Sequence, residues 1–326
     1  AELIYESTLD SISEAFDVFH YPVSRYMLDA RADLWQSGLA PQAVKQAVEA
    51  IGEKQAVIYS HQSTISEIPV GDTLVLAGEV ALVDDRIKYL DVLQGALDAL
   101  NIEAAVWAVP TGATAYAFGA WDAACSLGKV VIQGIRASGA QTVIADGPLT
   151  AWALTKIYPE LDLHLPEDVK VVLLSDTLSG AVEMERQELG KVFFHDSRAA
   201  YHIADSPPNH MAVQPGFVGD EAAYGEGTVY EAPRRLLETV GADLVNGAWI
   251  RGLSKSCGAD DGLWLTHSDL AGGLANQRLD YARQLGAMML VTDSALCANH
   301  LEKAIQEDTI AVHWLPEIVF KEPSGS

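Results

Sequence analysis

Cysteine is scarce in this chain: Cys125, Cys257 and Cys297 are the only three among 326 residues. That number excludes a disulfide framework, fits a reducing compartment, and falls short of a four-thiolate metal or iron–sulfur site. Positive charge is scarce too. With 21 lysine and arginine residues against 45 aspartate and glutamate, the formal charge is −24, which makes nucleic acid and anionic membrane surfaces improbable partners while leaving a basic protein partner open. No apolar run approaches the roughly 20 residues of a membrane-spanning helix, so no direct membrane insertion is expected. The opening Ala1-Glu-Leu-Ile-Tyr-Glu is acidic and has no basic n-region, which predicts no signal peptide and a cytoplasmic location. Walker loops, Gly-x-Ser-x-Gly elbows and His-Glu-x-x-His pairs are missing. Gly272-Gly273 and the scattered Gly-x-Gly triplets fall in helix or loop patterns and make no nucleotide fingerprint.

What is present reads as a packed globular protein, 49% hydrophobic and 20% charged. Residues 1–54 form an N-terminal helical segment, with apolar three- and four-residue spacings over 23–35 and 40–51, Pro41 at a helix start and Gly52 at a stop. From residue 73 short apolar runs alternate with helical stretches. Strands are predicted at 74–76, 104–109, 142–144 and 169–174, with helices at 86–100 and 118–138 between them. The order returns after Lys191, with strands at 192–194, 244–250 and 288–291 and helices at 229–240 and 269–285. Such alternation predicts an α/β fold with parallel sheets covered by helices.

An internal repeat organises that alternation. A shift of 147 lays 122–154 on 269–301, matching Leu127 with Leu274, Arg136 with Arg283, Gly139-Ala140 with Gly286-Ala287, Asp146 with Asp293, and Leu149 with Leu296. Two α/β halves related by a pseudo-twofold are therefore expected, residues 55–190 and 191–322, with their strand-end loops facing a shared cleft. Asp146 and Asp293, equivalent by the repeat, suggest either N-caps of the following helices or paired acid/base carboxylates, and capping explains both more simply.

At those loops the second half reads His195-Asp196-Ser-Arg198, then Ser256-Cys257-Gly258, then Ser294-Ala-Leu-Cys297 behind a Gly-Ala strand. Order and flanking residues resemble the cysteine-rich (Cys-Cys-Gly) domain family found in heterodisulfide reductases and in the iron–sulfur subunits of lactate and glycolate oxidation complexes, over roughly residues 73–320. The resemblance implies a redox complex with other subunits as partners. It also implies cluster ligands, and here the chain departs from the family. Arg198, Ser256 and Ser294 stand where cysteines are expected, leaving Cys257 and Cys297. The first-half counterparts, Glu79, Thr111-Gly112 and Gly147 to Thr150, retain no thiol. Serine and threonine hydroxyls replace thiolates poorly, so no cofactor is expected, with an iron–sulfur cluster as the alternative.

Glu79, Thr111, Gly112, Gly147, Thr150, His195, Asp196, Arg198, Ser256, Gly258 and Ser294 should then line the vacated sites. Cys257 and Cys297 read as inert retained thiols, as a redox pair, or, with His195 and His300, as a weak metal site; His202 and His210 lie near in sequence, and Cys125 belongs to a helix core. Arg198 fits an ion pair with Glu79, Asp146 or Asp293, or a site for an anionic ligand. A turn-rich acidic insertion near 203–226 contains no lysine or arginine and could serve as a lid or docking loop. The leading expectation is a cluster-free structural or regulatory subunit of a redox complex. An electron-transfer or thiol/disulfide subunit using Cys257 and Cys297, and an anionic-metabolite binder using the vacated cleft, are the alternatives.

Overall fold

The computed structural model describes residues 1–9, 12–16, 21–61, 69–180, 186–206, 224–305 and 310–319. Four helices come first: α1 (Glu2–Glu6), α2 (Ile12–Phe16), α3 (Val23–Gln36) and α4 (Gln42–His61). α4 starts directly after Pro41 but does not stop at Gly52. The residues after Gly52 continue the helical period, with Gln55 buried and donating to the carbonyls of Pro110 and Leu127, so the segment extends beyond its expected boundary at 54.

The first half then runs β1 (Thr73–Leu76), α5 (Arg86–Ala99), β2 (Ala105–Trp107), α6 (Ala113–Ala117), α7 (Trp121–Ser138), β3 (Thr142–Ala145), α8 (Pro148–Trp152), α9 (Tyr158–Glu160), β4 (Lys170–Leu173) and α10 (Leu174–Ser179). The second runs β5 (Lys191–Phe194), α11 (Arg198–Ile203), α12 (Thr228–Thr239), β6 (Asp243–Leu244), α13 (Leu263–Thr266), α14 (Ser268–Gln284), β7 (Met289–Thr292), α15 (Ala295–Lys303), β8 (Ala311–Trp314) and α16 (Leu315–Val319). Both sheets are parallel and four-stranded, in the orders β2-β1-β3-β4 and β6-β5-β7-β8. The expected α/β fold of two repeated halves is what the chain adopts.

Register fixes the equivalence of the halves. Val75 pairs with Ile144 and Phe194 with Val291; since Ile144 and Val291 are 147 apart, Val75 matches Phe194, and four residues on Glu79 matches Arg198. Contacts between the halves are reciprocal: α10 packs on α12, and its counterpart α16 packs on α5. Each half thus closes the other's first crossover helix. The N-terminal segment ties in both. Buried Arg31 donates to the carbonyls of Ile4, Ser7 and Ala117, while Leu9 donates to Asp261 and accepts from Arg198.

Some elements differ from the sequence reading. Of the expected strand over 244–250 only Leu244 lies in β6, because the turn-forming Asn246-Gly247 leads the chain off the sheet, where Gly247 lies against the Tyr281 hydroxyl. The expected helix over 118–138 begins at Trp121, behind the short α6. Most of the 203–226 insertion, including His210, lies outside the described residues. Its ends meet in an antiparallel bridge between Ser206 and Glu226.

Gly112 and Gly258 hold the same post in the two halves, each at φ +90°. A Cβ on Gly112 would meet Ala124 and Leu127, and one on Gly258 would come 2.8 Å from Cα of Ala271, the repeat partner of Ala124. Backbone conformation and space both exclude a side chain there. Gly258→Ala should therefore destabilise the fold by roughly 2–4 kcal/mol, measured as a lowered urea midpoint, with Gly112→Ala behaving alike.

Candidate functional site

Strand order brings the carboxyl ends of β1, β3, β5 and β7 to the junction of the halves, and every residue expected to line the vacated sites is buried there. What they form is a filled interior. Glu79 is fully buried, and its carboxylate joins the halves: Oε1 accepts from the backbone N–H of Leu149 at 2.9 Å, and Oε2 accepts from the Ser294 hydroxyl at 2.5 Å and the Leu296 N–H at 3.4 Å. Leu149 and Leu296 are the second residues of α8 and α15, and they are repeat partners. One carboxyl group thus meets equivalent helix N-termini from both halves, where free N–H groups favour negative charge. The fit is close, since a Cβ on Gly147 would lie 2.3 Å from Oε1.

Asp146 sits behind this contact and accepts from the N–H groups of Glu79 and Val80 and from the Thr150 hydroxyl. It does not cap α8, because its lone pairs are taken by the loop after β1. Nor does Asp293 cap α15: Ser294 does, accepting from Cys297 N–H at 3.1 Å. Burial raises the Glu79 pKa well above the usual carboxyl range, reinforced by Asp146 and Asp260. Burial also pushes Asp146 up to about 6 and raises Asp293 well above its ordinary value.

In the second half, ligand atoms of His195, Cys257 and Cys297 lie within 4.8 Å of one another. His202 stays apart, stacked 4.1 Å from Trp152, while His300 stands beside the group, against the Ala271 carbonyl and the Cys257 backbone. Cys125 is half-buried against the core. The His195 ring identifies its own proton. Arg278 Nε donates to His195 Nδ1 at 3.2 Å, and a guanidinium can only donate, so a neutral imidazole carries its hydrogen on Nε2, which has no partner among the described residues. Burial, then Arg278 and Arg198, hold the His195 pKa well below normal. Cys297 donates to Asp260 at 3.4 Å, and burial, then Cys257, raises its pKa well above normal. At neutral pH this thiol is protonated and enclosed, unlike a reactive or ligating thiolate.

Around this group lies a dense network. Asp196 receives a bidentate contact from Arg234 at 2.7 and 2.8 Å and the Arg251 N–H at 2.6 Å. Ser197 donates to Asp260, and Ser256 to Asp261. Arg198 does not form the expected ion pair with Glu79, Asp146 or Asp293 among the described residues. It donates instead to the carbonyls of Ser254 and Leu9, stands over the Tyr201 ring, and lowers the pKa of nearby Asp261 against the larger effect of burial. Asp260, Asp261 and Arg278 were not singled out by sequence. Two signals pointed to them: the Asp260-Asp261 pair lies one residue beyond Ser256-Cys257-Gly258, and Arg278 shares a helix face with Ala271, Ala275 and Ala282.

These donors do not fit an iron–sulfur cluster. Two sulfurs are present where about four ligands are needed, and the Ser256 and Ser294 hydroxyls are committed to Asp261 and Glu79. A single ion meets a different obstacle. A ligating histidine normally donates through its other nitrogen to an acceptor, whereas His195 faces a cationic donor at Nδ1 and would have to bind as an imidazolate.

No family profile matches the sequence, and no curated protein matches it. Among solved structures, a hypothetical protein from Helicobacter pylori is similar at 11% identity and a TM-score of 0.48, over 76% of this chain and 48% of that one. The chain thus spans about half the length of that protein.

Because the folded Asp146 pKa lies above that of an unfolded aspartate, its favourable contribution is complete below about pH 4 and is lost as pH rises through about 6. The stability difference between the native chain and Asp146→Asn should therefore shift toward the native chain by about 1 kcal/mol between pH 7.5 and pH 5. Paired urea titrations at the two pH values measure it.

Proposed function

We propose that the chain is a cluster-free relative of the cysteine-rich-domain subunits, acting as a structural or regulatory subunit in a cytoplasmic redox complex whose other subunits carry the cofactors. The repeat, and the loops His195 to Arg198, Ser256 to Gly258 and Ser294 to Cys297, support the relationship. One observation carries the functional reading: the positions that hold ligands in that family are here spent on internal bonds, with Glu79 bound to α8 and α15, Ser294 to Glu79, Ser256 to Asp261, and Arg198 to the Leu9 and Ser254 carbonyls. A buried polar network this dense fixes one arrangement of two halves and leaves little for electron transfer. The enclosed Cys297 thiol, with its raised pKa, weighs against a thiol/disulfide role. An acidic surface on such a body suits docking to a basic partner subunit.

Anaerobic purification from the native host tests the reading in two ways. The chain is expected to co-purify with subunits that carry flavin or iron–sulfur groups, and a partnerless monomer in that preparation would overturn the subunit role. Separated from those subunits, it should be colourless and free of acid-labile sulfide. Stoichiometric iron and sulfide with a visible chromophore would overturn the cluster-free assignment.

A further inference from the structure

A cavity of about 500 Å³ opens on the outer side of the second half, between α14 and the loop after β6. It lies within the size range of small-metabolite sites. Its wall includes Trp249, Lys255, Ser256, Gln277, Arg278 and Tyr281. Neither Lys255 nor Arg278 has a carboxylate within ion-pair distance among the described residues. Asp280, the acid in the wall, is held by Arg283 at 2.7 Å.

Arg278 is the stronger signal. Its side chain is 1% exposed, and a guanidinium removed from water without a directly paired anion is costly. Its bonds go to neutral acceptors: His195 Nδ1 from Nε, the Trp249 carbonyl from both terminal nitrogens, and Ser254 Oγ from Nη2. Of five N–H groups these occupy four, so one hydrogen on Nη1 has no acceptor in these bonds. Burial lowers its pKa only to about 10, and Arg278 stays charged at neutral pH. At the mouth, exposed Lys255 holds its ammonium 4.3 Å from the centre of the Trp249 ring. The apolar wall comes from Leu274, Ile12 and the two half-buried rings of Trp249 and Tyr281.

From this geometry we infer that the cavity binds a small organic carboxylate with a flat body: the carboxylate between Lys255 and Arg278, the body along the Trp249 and Tyr281 rings, and polar substituents within reach of Gln277 and Gln284. A full unpaired charge on a flexible stem and a fixed guanidinium behind it match one carboxylate. The aromatic wall selects an organic anion over an inorganic one. This site opens on the outer side of the strand-end interior, sharing Arg278 and Ser256 with it, and it stands or falls independently of the subunit reading.

Benzoate is a suitable probe, added to the full chain and followed by saturation-transfer NMR and calorimetry. It should bind saturably, with benzyl alcohol and inorganic phosphate each weaker by about tenfold or more. Lys255→Glu, at an exposed position that leaves the buried network intact, should weaken benzoate by about tenfold, whereas Lys129→Glu, the same charge change on α7 of the first half, should leave it unchanged. Equal thermal midpoints for the two variants establish that both are folded. Absence of saturable benzoate binding up to about 50 mM, phosphate binding as tight as benzoate, or identical behaviour of the two lysine variants would each overturn the site.

Discussion

The junction of the two halves depends on one carboxyl group. Glu79 accepts from the N-terminal turn of α8 through one oxygen and from that of α15 through the other. Each helix N-terminus presents N–H groups with no acceptor inside its own helix, and two of them facing each other across a buried junction would repel. A bridging acceptor relieves both at once. The loop carrying Glu79 is fixed in turn by Asp146, which holds the N–H groups of Glu79 and Val80, and Gly147 leaves the space the carboxylate fills. Reciprocal packing of α10 on α12 and of α16 on α5 then encloses the contact on its flanks.

Burying this much polarity is unfavourable unless every group is matched. Among the described residues six carboxyl groups and five guanidiniums are buried, so the interior would be unstable as a set of isolated charges. Two devices relieve it. Raised pKa values let Glu79, Asp146 and Asp293 carry less negative charge than exposed carboxylates would. Short charge-assisted bonds, such as Arg234 with Asp196, neutralise the charges that remain. Such a network adds little net stability, but it penalises any other arrangement of the halves, because a shift would leave buried charges unmatched.

How much of this was legible in sequence follows from which forces repeat and which do not. The halves and most of their strands follow from apolar periodicity, which the 147-residue shift displays directly, and the equivalence of Gly112 with Gly258 follows from the loops they close. The strand-end loops were legible as the place where the polar residues gather. Their partners were not. Asp146 and Asp293 have the local pattern of helix caps, yet Asp146 bonds to the loop after β1, a contact set by the packing of β1 beside β3. Ser294 takes the cap because its hydroxyl lies nearer the helix start and also reaches Glu79. Arg278 looked like an ordinary charged residue in a helix, since nothing in a linear pattern reveals that its guanidinium meets His195. Gly52 looked like a helix stop, but the packing of Gln55 against the Pro110 and Leu127 carbonyls outweighs a cost of about 1 kcal/mol for glycine in a helix.

Equivalent posts in the two halves have been filled with opposite charges, and the difference explains the asymmetry of the molecule. Glu79 and Arg198 match by strand register. In the first half the carboxyl needs donors, and helix N-termini with backbone N–H groups supply them without any cation. In the second half the guanidinium needs acceptors, and it draws on carbonyls of the 254 loop and of Leu9 in the N-terminal segment. That choice carries a consequence for the whole fold. A cation at the second post recruits the N-terminal segment as part of the interior, with Asp261 binding the Leu9 N–H beside it, while Arg31 ties the same segment to the Ala117 carbonyl of the first half. The segment that reads as a separate helical preface is thereby a third body, fastened to the second half through Arg198 and Asp261 and to the first through Arg31.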